Sequence, residues 1–174
     1  IVDQFLAHSE DHKKDRIVLH GIGEPLLSPY FFKNLDYLDE KEFEWVDFSD
    51  NGLLLTEENS HKLCSYKCIN NLRISLNSSR KEIMERFNTG SNFEKVVENT
   101  KKLIDIKNQY ATKSKINVQL VITKQNEDET ETEIRNLIGN GNYIVNLKRV
   151  NNFSGLIPQN EFTFPGEVYE PSCY

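Results

Sequence analysis

Three scarcities frame the sequence. No apolar run approaches the roughly 20 residues that a bilayer-crossing helix needs, and the opening residues do not read as a signal peptide, so no membrane partner is expected. Cysteine is rare: Cys64, Cys68 and Cys173 are too few and too unevenly placed for a disulfide framework, which points to a reducing, cytoplasmic setting. Positive charge is in deficit, with Lys+Arg 21 against Asp+Glu 27 and a net charge of -6. With a pI near 5.3 and no basic stripe, no nucleic-acid partner is expected. What is present is a globular balance. The apolar fraction is 37%, yet ten Phe and seven Tyr are spread along the chain and can found a core. A length of 174 residues suits one domain and falls short of a complete eight-fold barrel, which takes about 250 residues.

Hydrophobic spacing gives one strand-helix rhythm. Short apolar runs predict strands at 17–20, 45–48, 72–76, 116–122 and 143–147. Helical spacing predicts helices at 1–9, from Phe31 to Leu38 behind Ser28 as cap and Pro29 in the first turn, from Thr56 to Leu63, and at 80–87, 93–107 and 127–138. The strand starts are too irregular for a short repeat and fit consecutive βα units joined by right-handed crossovers. Beyond Val150 the periodicity stops. The expected fold class is α/β, one domain over 1–150, with a looser connector over 151–174.

In parallel α/β folds ligands collect at the carboxyl ends of strands. The sharpest segment there is His20-Gly21-Ile22-Gly23-Glu24-Pro25-Leu26-Leu27. Two glycines let backbone approach a ligand, the carboxylate stays at the strand end, and the proline stiffens the exit. Such a loop suits the ammonium of a zwitterionic amino-acid group. The plainer alternative is an ordinary glycine turn between strand and helix. His8, His12 and His61 read as surface residues, and His20 as a packed one in preference to one that reaches the site from its strand end. Residues 127–133 read as a solvated acidic helix face, and Cys64 and Cys68 as buried residues at i and i+4 on a helix.

Gly21-Ile22-Gly23-Glu24-Pro25-Leu26-Leu27 resembles the "GGEP" motif of radical S-adenosylmethionine (radical SAM) enzymes. The resemblance continues in order through Ser49-Asp50-Asn51-Gly52-Leu53-Leu54-Leu55, similar to "TNG-x-L-L", and Leu72-Arg73-Ile74-Ser75-Leu76-Asn77, similar to "i-S-l-d". Arg86 through Phe93 resembles the arginine and "G-S-F" stretch, and Val121 through Asn126 with Glu129 resembles the fifth strand and its asparagine. Asn151-Asn152-Phe153-Ser154-Gly155 resembles the "N-N-W-x-G" exit of members with a SPASM-type auxiliary-cluster extension.

The resemblance implies a partial TIM-like (β/α)6 barrel, with about five βα units here, holding S-adenosylmethionine and a 4Fe–4S cluster. The activity it implies is reductive cleavage of S-adenosylmethionine to a 5′-deoxyadenosyl radical, for peptide maturation or small-molecule oxidation. A reducing partner such as flavodoxin or ferredoxin goes with it. Gly21, Gly23, Glu24 and Pro25 would receive the cofactor's amino group; Ser75 and Asn77 would contact ribose or carboxylate. Arg86 would pair with the carboxylate, and Asn51 and Asn126 would line the rim. Cys173 would ligate an auxiliary 4Fe–4S cluster in a C-terminal extension. No cysteine precedes Gly21, so the C-x3-C-x2-C loop of the family, with one strand, is expected to be missing from this chain. Two alternatives remain at this point: a non-catalytic barrel binding an adenosyl ligand or a partner, and an unrelated barrel enzyme with a phosphate site at the glycine loop.

Overall fold

A computed structural model describes residues 13, 15–21 and 23–149. The helix expected over 1–9, the connector over 151–174 and Cys173 lie outside the described residues. Five strands run in one parallel sheet whose spatial order is the chain order: β1 (Arg16–Val18), β2 (Trp45–Asp50), β3 (Ile69–Ser75), β4 (Lys115–Ile122) and β5 (Ile144–Arg149). Between them lie α1 (Phe31–Glu40), α2 (Glu57–Ser65), α3 (Lys81–Phe87), α4 (Phe93–Lys107) and α5 (Glu131–Ile138). An all-parallel sheet wound in one direction, a helix after each of its first four strands, is the α/β partial-barrel architecture expected.

Side chains alternate across a strand, and here the two faces differ in chemistry. Val46, Phe48, Leu72, Ile74, Ile116, Val118, Leu120 and Ile122 point to the helices and are buried there with Leu35, Leu38, Val96, Leu103 and Ile134. The opposite face carries Asp47, Ser49, Asn71, Arg73, Ser75, Asn117 and Gln119, which register places side by side across β2, β3 and β4. One apolar stripe per helix therefore suffices. On α4 it is Val96, Val97, Thr100, Leu103 and Ile104, as the spacing predicts.

Helix starts differ from expectation where local polar bonds take over. Ser28 does not cap α1; being before a proline it is extended (φ -75, ψ 124) and ends a single 3-10 turn at Pro25–Leu27. Its hydroxyl accepts from the Tyr30 N–H, and Tyr30 becomes the N-cap. The helix expected from residue 127 starts at Glu131, because the Asn126 side chain first accepts from the Thr123 N–H at 2.7 Å and hydroxyl at 2.9 Å. A capping box at Thr130 and Glu133 then sets the start. Cys64 lies on α2 as expected, but Cys68 lies beyond it, in the turn leading into β3. Among the described residues no helix is long and apolar enough to cross a membrane.

Candidate functional site

The carboxyl ends of β1, β2, β3 and β4 bring four loops together. The first leaves β1 through His20, Gly21 and Gly23. Gly23 has φ +113, a left-handed conformation that favours glycine. Gly21 differs: its φ is not left-handed, and a Cβ there would meet nothing within 4 Å. Nothing in the described chain requires glycine at 21.

Glu24 closes this loop onto the next. Its carboxylate accepts the Asn51 N–H at 2.9 Å, and its carbonyl accepts from the Leu27 N–H at 3.1 Å. Pro25 is buried beneath it. The β2 exit is a pair of Asx turns, with the Gly52 N–H on Asp50 Oδ1 at 2.8 Å and the Leu53 N–H on Asn51 Oδ1 at 2.9 Å. Gly52 is held at φ +82, and a Cβ there would stand 2.9 Å from Val96 Cγ1. Asp50 is 2% exposed and its Oδ2 has no hydrogen-bond partner. Burial pushes its carboxyl up to about 6, helped by the nearby Glu24 charge and opposed by the Gly52 and Leu26 amides.

The β3 exit is pinned from two sides. Asn77, at φ +68, donates from its side chain to Asn88 Oδ1 at 3.0 Å, and Asn88 donates to the Ser75 carbonyl at 3.4 Å. From the β4 exit, Glu129 accepts from the Ser78 hydroxyl at 2.5 Å, the Ser79 N–H at 3.1 Å and Arg80 Nε at 3.1 Å. Arg80 also bonds Asp128 at 2.7 Å and the Gln125 carbonyl at 2.9 Å. Glu129 is thus not a solvated helix carboxylate: it is 5% exposed and holds two loops together. Sequence reasoning missed this node; the signal was an Arg and a Glu each flanking a strand exit.

The expected site residues fall into two groups. Gly21, Gly23, Glu24, Pro25 and Asn51 are brought together at the exits of β1 and β2. Ser75, Asn77 and Asn126 gather at the exits of β3 and β4, where the Asn126 carboxamide is spent on Thr123, Val121, Asn77 and Glu129. Asn126 therefore shapes the rim from within rather than offering itself to a ligand. Arg86 is exposed in the last turn of α3, two residues before Asn88. His20 is not packed but open to solvent at the β1 exit. Partial shielding and the Arg73 and Arg16 charges lower its pKa, against Asp47. His61 is half-buried, its ring 3.0 Å from the Tyr110 hydroxyl.

A void of about 80 Å³ lies between Glu24, Leu27, Asp50, Asn51, Leu53 and Leu54, too small for a nucleoside, so an adenosyl ligand would lie on the open rim against Gly21 and Gly23. The bare, unobstructed backbone there fits one. A 4Fe–4S cluster does not fit the thiols of the described residues: Cys64 and Cys68 are buried in the core, and burial pushes Cys64 up to about 11 and Cys68 higher still. Among the described residues no group of three or more His, Cys, Asp or Glu side chains could hold a metal ion. A cavity of about 750 Å³ is lined by Lys13, Glu44, Lys67 and Lys113 among others, at the amino ends of the strands and away from these loops.

Known proteins agree with this geometry. Residues 1–137 match the model of the radical SAM superfamily. Among curated proteins no sequence matches. Among solved structures, a radical SAM methyltransferase from Sphaerobacter thermophilus superposes with a TM-score of 0.57 at 15% identity, over 84% of this chain and 43% of that one. At that identity the likeness is one of fold, and this chain spans less than half of its neighbour's length. The match over most of the chain removes the unrelated phosphate-binding barrel as an alternative. With its ordered parallel strands and its Gly-x-Gly-Glu-Pro loop at the strand ends, the chain belongs to the radical SAM superfamily.

Proposed function

We propose that this chain is the S-adenosylmethionine-binding core of a radical enzyme acting on a peptide or a small molecule. The observation that carries the reading is Gly21, a glycine that neither backbone conformation nor packing in the described chain explains, beside a Glu24 carboxylate anchored to Asn51. For the whole protein this implies reductive cleavage of S-adenosylmethionine to a 5′-deoxyadenosyl radical that abstracts hydrogen from the substrate. The chain's own part is to bind and orient. Gly21 and Gly23 would present backbone to the methionyl amino group, and Glu24, held by the Asn51 N–H, would set a negative charge beside it. Ser75 and Asn77 would face ribose or carboxylate, and Arg86 would approach from α3 with a planar donor suited to a carboxylate.

The thiolates of the catalytic cluster would come from another part of the natural protein, because Cys64 and Cys68 do not fit. Cys173 would serve an auxiliary cluster and a flavodoxin or ferredoxin would supply electrons, readings that rest on the sequence alone. The test is Gly21→Val in the full-length protein, titrated calorimetrically with S-adenosylhomocysteine. With open space around position 21, the thermal midpoint is expected to stay within about 2 °C while affinity falls about tenfold or more. Unchanged affinity in the folded variant overturns the reading.

A further inference from the structure

Apart from Ser75 at its rim, the polar face of the sheet, opposite the helices, has no role in the binding just described. Arg73 stands at its centre, between Ser49 on β2 and Asn117 on β4 in the strand register. One terminal nitrogen donates to the Ser49 hydroxyl at 3.1 Å, while its Nε is buried with no hydrogen-bond partner. A buried donor left unmade costs about 1–3 kcal/mol, more for a charged group, and the fold tolerates it at a strand centre. The obvious counter-charge is committed elsewhere. Asp47 is 4% exposed, and its Oδ2 accepts from Arg16 Nε at 2.7 Å and Nη2 at 2.7 Å while Oδ1 accepts from Asn70 at 3.2 Å. No carboxylate among the described residues forms an ion pair with Arg73, and its charge is felt at His20, whose pKa it helps to lower.

The neighbours suit the same ligand. Gln119, half-buried beside Ser75 in the register, has a carboxamide with no protein partner among the described residues. Asn117, beside Arg73 in the register, is joined by its side chain to Asn71 one row below. With one nitrogen on Ser49, the remaining edge of the guanidinium, Nε and its neighbour, is the fork that a carboxylate meets with two parallel bonds. At a rise of about 3.3 Å per residue, Arg73 lies about 7 Å below Ser75, inside the sheet's open face rather than on its rim.

We propose that Arg73, with Gln119, is a carboxylate-binding site on the inner face of the barrel, and that it takes a carboxylate of the substrate. The carboxylate binding stands on Arg73 itself; that its owner is the substrate rests on the function proposed above. The two sources of a carboxylate here are the substrate and the methionyl end of the cofactor, and they are separable.

The experiment titrates the full-length protein with glutarate, as a carboxylate probe, and separately with S-adenosylhomocysteine. Arg73→Gln is expected to weaken glutarate about tenfold or more and to leave S-adenosylhomocysteine within about twofold. Arg73→Lys, which keeps the charge but not the fork, is expected to fall between, and decides the matter should Arg73→Gln not fold. Absence of glutarate binding to the wild type, or affinity unchanged in the folded variants, overturns the site. Loss confined to S-adenosylhomocysteine assigns Arg73 to the cofactor and overturns it equally. If Gly21→Val leaves S-adenosylhomocysteine binding intact while Arg73→Gln abolishes that of glutarate, the function proposed above fails and the carboxylate site stands.

Discussion

Asp50 ends β2 almost wholly enclosed, with one oxygen on the Gly52 N–H and the other making no hydrogen bond. Its folded-state pKa, about 6, lies above the ordinary 3.8. Between those values the folded protein holds a proton that the unfolded chain has released, so this group's contribution is fully present below the window and is lost as pH rises through it. At about 1.4 kcal/mol per tenfold the loss is on the order of 3 kcal/mol. Asp50→Asn keeps an acceptor for Gly52 and cannot ionise. Urea denaturation is expected to show the variant gaining on the wild type between pH 4 and pH 7, by a margin on the order of 3 kcal/mol at the upper end. An equal deficit at both pH values would reject it. At this scale the sequence was legible where a residue type is rare and local: the paired glycines and the proline that follows them. It was not legible for Arg73, whose meaning depends on Asp47 being taken by Arg16, a contact spanning 31 positions.

The β4–α5 connection carries more of the architecture than its polarity announces. Residues 127–133 look like a solvated acidic start to a helix, yet Glu129 turns inward and ties the β3 and β4 exits through Ser78, Ser79 and Arg80. Because Arg80 is half-exposed and Glu129 is not, most of the cost of breaking the node falls on the buried Ser78 hydroxyl and the Ser79 N–H. Glu129→Ala is expected to lower stability by about 3 kcal/mol. Glu129→Gln, still able to accept the Ser79 N–H, is expected to lose less than half of that. Equal losses, or amide exchange at Ser79 and Arg80 unchanged in the Ala variant, would show that the node does not join the two loops. Strand positions and helix faces followed from apolar spacing, since burial writes its period directly into sequence. Helix starts did not, at α1 and α5, because a single Pro or Asn side chain outbids propensity over three or four residues.

The molecule as a whole follows its chain. That the sheet is parallel and wound one way was readable from alternating strands and helices, together with the family motifs at the strand ends. The SPASM-type extension was read from Asn151 onward and from Cys173, and those residues lie outside the described ones. Protection should grade across the sheet. β3 pairs on both sides and buries Leu72 and Ile74, whereas β1 has three residues and β5 leaves Ile144 and Leu147 exposed. Amide hydrogen exchange is expected to be slowest in β3 and β4 and fastest in β1, with a uniform rate across all five strands as the contrary result. The spatial order of the strands has a further consequence in time. Since, among the described residues, each strand pairs only with those made immediately before and after it, none of these strands waits long for a distant partner. On a ribosome adding about 5–20 residues per second, each new strand can dock within seconds on an edge already laid down. The growing edge of the sheet is then exposed only briefly at each step.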